Sequence, residues 1–125
     1  PQTYMNLSGD SVVEIANFYK VPLENIIVIY DDIDINPGIA KIRKKGGPGT
    51  HNGMKSVVYR LGSQEFPRIR VGTGMPEYKN DLINYVISKV NNEDYIELEK
   101  GIDTAADAVV EILKQGIDNA MNKIN

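Results

Sequence analysis

The sequence predicts an α/β domain with a mixed, mostly parallel central sheet flanked by helices. Three observations predict it. A β-branched run, Ile26-Ile-Val-Ile-Tyr30, leads into an aspartate cluster. Two shorter strand patterns follow, over Ile39–Lys44 and Arg68–Gly72. Segments with helical apolar spacing alternate with these runs.

Taken in order, the first element is a helix from Ser8 to Lys20. Val12, Ile15, Ala16 and Tyr19 share one face at i, i+3, i+4 and i+7. Ser8 stands as N-cap, Asp10 and Ser11 suit the first turn, and Pro22 ends the helix. The run over 26–30 then reads as a strand buried on both faces, with Asp31, Asp32 and Asp34 just past its C-terminal end. Asn36-Pro37-Gly38 is a turn. Ile39–Lys44 alternates apolar and basic residues, as a half-exposed strand does, so Lys41 and Arg43 share a face.

Gly46-Gly-Pro-Gly-Thr50 reads as a loop, and Asn52–Leu61 as a helix with Met54, Val57, Val58 and Leu61 inward and Gly62 at its end. Arg68–Gly72 is a short strand. Asp81–Lys89 is a short helix with Leu82, Tyr85 and Val86 inward. One or two helices from about Glu93 carry Leu98, Ile102, Ala105, Val109, Ile112 and Leu113 on one side. Only three strands are legible, few for a sheet with four helices. The chain begins at Pro1 rather than at a methionine. Both lead to the expectation that residues 1–125 are one truncated domain, with N-terminal strands absent from this chain.

Composition excludes several chemistries. With no cysteine there is no disulfide framework, thiolate nucleophile or Cys-ligated zinc, and a single histidine excludes a His-rich metal site. No window reaches the apolar length of a membrane span. The net charge of −3 hides an asymmetry. From Lys41 to Arg70, eight basic residues face Glu65 alone, a net of +7, so the remainder carries −10. That split suits a basic surface for a polyanion; a set of solvated basic faces is an equal reading on charge alone.

Three places carry groups suited to chemistry. Asp31, at a strand's C-terminal end, stands where α/β sheets place their ligand crevice. There a carboxylate can orient an imidazole or merely start a turn. In Gly46-Gly47-Pro48-Gly49-Thr50-His51-Asn52-Gly53, glycine backbone can approach a ligand closely. His51 and Asn52 then meet a helix N-terminus that favours anions. Asn52 acting only as a helix cap competes with this. Asn6, near a helix start, suits capping as well as binding. Asp31, Asp32 and Asp34 offer oxygens to a hard cation, but neighbours in extended chain point to opposite faces. No Gly-x-Ser-x-Gly elbow exists.

Together, Pro1-Gln-Thr-Tyr-Met-Asn-Leu-Ser-Gly9, Asp31-Asp-Ile-Asp34 with Pro37-Gly38, and the glycine loop to Gly53 resemble the bacterial-type peptidyl-tRNA hydrolases, with support from Arg68-Ile-Arg-Val-Gly72. Order and spacing match across nearly the whole chain. Pro48 and Thr50 depart from a loop that is usually richer in glycine.

The resemblance implies hydrolysis of the ester joining a peptide to tRNA, with no cofactor or metal, by a cytoplasmic, monomeric protein. Asn6 and Asn52 match asparagines that position peptide and water, with Tyr4 and Met5 beside them. Asp31 matches the aspartate that orients the catalytic histidine. His51 matches a second histidine that assists substrate binding. Gly46, Gly47, Gly49 and Gly53 form the site loop. Lys41, Arg43, Lys44 and Lys45 fall where the family holds tRNA phosphates. The family's histidine base lies upstream of the Pro-Gln-Thr segment, and no residue here matches it. The chain alone is therefore expected to be inactive, and to associate with its missing segment or with itself. The other reading is a non-catalytic RNA-binding module of the same fold.

Overall fold

The computed structural model describes residue 4, residues 7–74 and residues 92–125. Its elements are α1 (Ser8–Tyr19), a 3₁₀ turn (Leu23–Asn25), β1 (Val28–Asp32), β2 (Ala40–Arg43), α2 (Asn52–Leu61), β3 (Arg68–Gly72), α3 (Asn92–Gln115) and α4 (Ile117–Ile124). The fold class is α/β, with a three-stranded mixed sheet and four α-helices among the described residues. The expected helix over 81–89 lies outside them.

The strand order is β1-β3-β2. β1 and β3 run parallel: the Val28 N–H donates to the Pro67 carbonyl at one end, and the Thr73 N–H to the Asp32 carbonyl at the other. β2 runs against β3, with the Gly72 N–H bonded to the Ile39 carbonyl. The link over 33–39 is too short for a crossover, so it returns the chain antiparallel. β1 starts two residues later than the apolar run suggested. Among the described residues it is an edge strand rather than one covered on both faces: its burial alternates, and Ile29 is 51% exposed.

Two compact units result. One comprises Pro1–Val28 and Arg43–Arg68, the other Ile29–Ile42 and Ile69–Asn125.

In the first unit α1 packs on α2. Their approach is closest at Gly9, whose N–H donates to Ser56 Oγ at 2.9 Å. A Cβ at Gly9 would collide with the Ser56 carbonyl oxygen, so only glycine lets the helices meet there. Gly9 is the buried residue of α1, and Val12, Val13 and Ala16 are half-buried. Ile15 and Tyr19, expected inward, are exposed instead, as is Phe18. Leu7, not Ser8, is the N-cap, and it makes no side-chain cap bond; at the other end Lys20 adopts φ 54° and closes the helix. In α2 the expected residues do turn inward: Met54 and Val57 are buried, and Val58 and Leu61 partly so.

In the second unit, Ile35, Ala40, Ile42, Ile69, Ala105, Ala108 and Ala120 are buried. The inward stripe of α3 is made of small residues, with Gly101 close to the Ile39 carbonyl. Small residues bring the helix axis near its neighbour, so Ile102 and Leu113 point outward, contrary to expectation. At β2, the Ile42 N–H donates to Asn125 Oδ1 at 2.8 Å, and Asn125 Nδ2 returns a bond to the Ile42 carbonyl at 2.9 Å.

Candidate active site

The residues singled out by sequence divide between the two units. Asp31 and Lys41 belong to the second. Arg43, Lys44, Lys45, the glycine loop, His51 and Asn52 belong to the first. Tyr4 is exposed. Met5 and Asn6 lie outside the described residues.

Asp31 lies inside β1, not beyond its end, and its side chain is exposed. Strand alternation separates it from Asp32, which is committed elsewhere. Asp32 Oδ1 accepts the Asp34 N–H at 2.8 Å. Its Oδ2 pairs with Arg70 Nη1 at 3.1 Å, and both side chains are less than a fifth exposed. This pair ties β1 to β3 and draws Asp32 out of any cation site. Among the described residues, no group of three acidic, His or Cys side chains is arranged to hold a metal ion.

In the first unit, Gly46 and Gly49 take φ of 147° and 59°. Residues with a Cβ rarely adopt such angles. They let the loop turn sharply into α2. The N-cap there is His51, not Asn52: His51 Nδ1 accepts the Met54 N–H at 3.1 Å. That bond uses the Nδ1 lone pair, so the neutral ring carries its proton on Nε2. Asn52, released from capping, is exposed as the first residue of α2. It opens onto a groove of about 480 Å³, lined also by Lys55 and Tyr59 of α2 and by Leu7 and Asp10 at the start of α1.

The basic run is less uniform than its count suggests. Arg68 is buried, Arg70 holds Asp32, and Arg60 Nε pairs with Asp10 at 2.9 Å. The exposed cations of this run are Lys41, Arg43, Lys44, Lys45, Lys55 and Arg60. Lys41 and Arg43 share the exposed face of β2 as expected. Arg43 reaches back over Gly46, its Nη1 3.5 Å from where a Cβ there would sit. Lys45 lies 3.9 Å from Glu65 in a largely exposed pair, which contributes little stability.

A family model described as peptidyl-tRNA hydrolase matches residues 1–125. The chain belongs to the peptidyl-tRNA hydrolase family. It is 54% identical to the peptidyl-tRNA hydrolase of Clostridium botulinum (strain Eklund 17B / Type B), over all of this chain and 64% of that protein. It is 46% identical to that of Caldanaerobacter subterraneus subsp. tengcongensis, covering 67% of it. A crystal structure of peptidyl-tRNA hydrolase from Acinetobacter baumannii superposes with a TM-score of 0.90 at 35% identity, over 100% of this chain and 63% of that one. The chain thus spans about two thirds of the length of these relatives.

Arg68 and Arg70, counted by charge with the basic stretch, are instead held inside their units, Arg68 by backbone carbonyls and Arg70 by Asp32. The alternation Arg68-Ile-Arg sends both arginines to one face of β3. An aromatic residue, Phe66, precedes the first. That pairing was the available signal.

Proposed function

We propose that the complete protein hydrolyses the ester between peptide and tRNA in peptidyl-tRNA, releasing tRNA for reuse, and that it works as a cytoplasmic monomer. The reading is supported above all by the match of the whole chain to the family. The glycine loop that delivers Asn52, uncapped and exposed, to a helix N-terminus adds to it. Among the described residues no helix is long and apolar enough to cross a membrane.

Ester hydrolysis near neutral pH needs a base to take a proton from water, and imidazole suits that task. His51 is not that base. Its Nδ1 lone pair is engaged with the Met54 N–H, which leaves Nε2 a donor rather than an acceptor. His51 instead contacts substrate as a donor. The base is a histidine outside this chain, and Asp31 orients it and stabilises its charged form. Asn52 and Asn6 hold the carbonyl and the attacking water without adding charge. A donor aimed at the developing oxyanion contributes about 3 kcal/mol. Lys41, Arg43, Lys44 and Lys45 hold tRNA phosphates.

The experiment is release of labelled peptide from peptidyl-tRNA by the complete protein and by the chain alone. Turnover by the complete protein only is the expected result. Turnover by the chain alone would reinstate His51 as base. Tight RNA binding without turnover by either would favour the non-catalytic module.

A further inference from the structure

Arg68, at the start of β3, is 1% exposed. Burying a guanidinium is costly unless its donors are used, and here its two terminal nitrogens reach three backbone carbonyls. Nη2 donates to Gln64 O at 2.8 Å and to Phe66 O at 3.4 Å, and Nη1 to Gly47 O at 3.3 Å. Its central carbon lies 4.5 Å from the centroid of the Phe66 ring, which is itself completely buried. The Gln64 carbonyl also accepts the Gly46 N–H at 3.3 Å. One side chain therefore fastens the entry of the glycine loop to the segment 64–66.

From Gly47 the connection to α2 is short. The His51 N–H bonds back to the Pro48 carbonyl at 3.3 Å, and His51 then caps the helix that begins with Asn52. The loop's glycines offer no side chains to hold it, so its position depends on bonds made to its backbone. A lysine could not supply them, because one ammonium cannot fork between separated carbonyls and also lie flat on a ring.

We propose that Arg68 is a positioning residue. It sets the glycine loop, and through it His51 and Asn52, in the arrangement the hydrolytic step requires. This rests on the function proposed above.

The test compares Arg68→Met and Arg68→Lys with the unaltered complete protein, reading kinetics on peptidyl-tRNA and hydrogen exchange of amides 46, 47 and 49–51. Methionine keeps the apolar contact with Phe66 and leaves no charge buried, but three carbonyls lose their donor, so kinetics are read on variants shown to be folded by circular dichroism. Arg68→Met should then lower kcat about tenfold or more while KM stays within about twofold. Its loop amides should exchange faster while those of Met54 and Val57 do not. Arg68→Lys should show the same pattern, less severely, and reads the same quantities if the Met variant does not fold.

Retained kcat in a folded variant would overturn the proposal. So would unchanged loop exchange, or a loss of activity that only tracks loss of folded protein. If the unaltered complete protein releases no peptide, the functional reading fails and takes the catalytic role of Arg68 with it. Exchange of the loop amides still separates that failure from a failure of the loop assignment.

Discussion

His51 and Asn52 divide two tasks that either could perform. Histidine takes the capping bond to Met54 and leaves the amide of Asn52 to face outward. Loss of a side-chain cap costs about 1 kcal/mol. His51→Ala should lower the unfolding free energy of the complete protein by that amount in urea melts, and His51→Asn should restore most of it. Asp31 serves a different end. Its side chain is exposed in β1, where a partner from outside the described residues can reach it. In the complete protein, Asp31→Ala should reduce kcat on peptidyl-tRNA by about a hundredfold or more with tRNA affinity nearly unchanged. Lost affinity with normal turnover would contradict an orienting role.

The helix pair α1 and α2 depends on one missing Cβ. Gly9→Ala places a methyl against the Ser56 carbonyl oxygen. Overpacking of this kind costs about 1–3 kcal/mol, and thermal melts of the complete protein should show it. The same contact explains what the sequence revealed of α1 and what it hid. Apolar spacing located the helix to within a residue, because periodicity is a local property. Which flank turned inward was decided by how near α2 could come, and that depends on Gly9, which carries little hydrophobic signal. α3 repeats the lesson, since Gly101, Ala105 and Ala108 face inward while Ile102 and Leu113 do not. α2 was read correctly because its large apolar residues are also its inward ones. At the site, the glycine loop was legible from its composition. The clamp at Arg68 and the pair Asp32–Arg70 were not, since each joins residues far apart in the chain or a side chain to backbone.

Across the whole molecule the basic stretch separates into framework and surface. Arg68 and Arg70 are occupied within the fold, while Arg60, half exposed beside Asp10, stays on the surface with Arg43 and the lysines, the surface on which the tRNA contacts proposed above would draw. Replacing Lys44 and Lys45 together by Ala should weaken tRNA binding and flatten the slope of log affinity against log salt by about two. An unchanged slope in filter-binding titrations would mark the stretch as a solvated face. The far end of the chain bears on how the protein keeps to itself. The Asn125 amide meets Ile42 with one donor and one acceptor, as a neighbouring backbone would, and among the described residues β2 is an edge of its sheet. A carboxamide thus stands as a counterfeit rung that denies other polypeptides a place to begin zipping on. Asn125→Ala should vacate that rung at a cost of about 1 kcal/mol. Light scattering of the concentrated variant should then show a larger average particle mass than that of the unaltered protein under the same conditions.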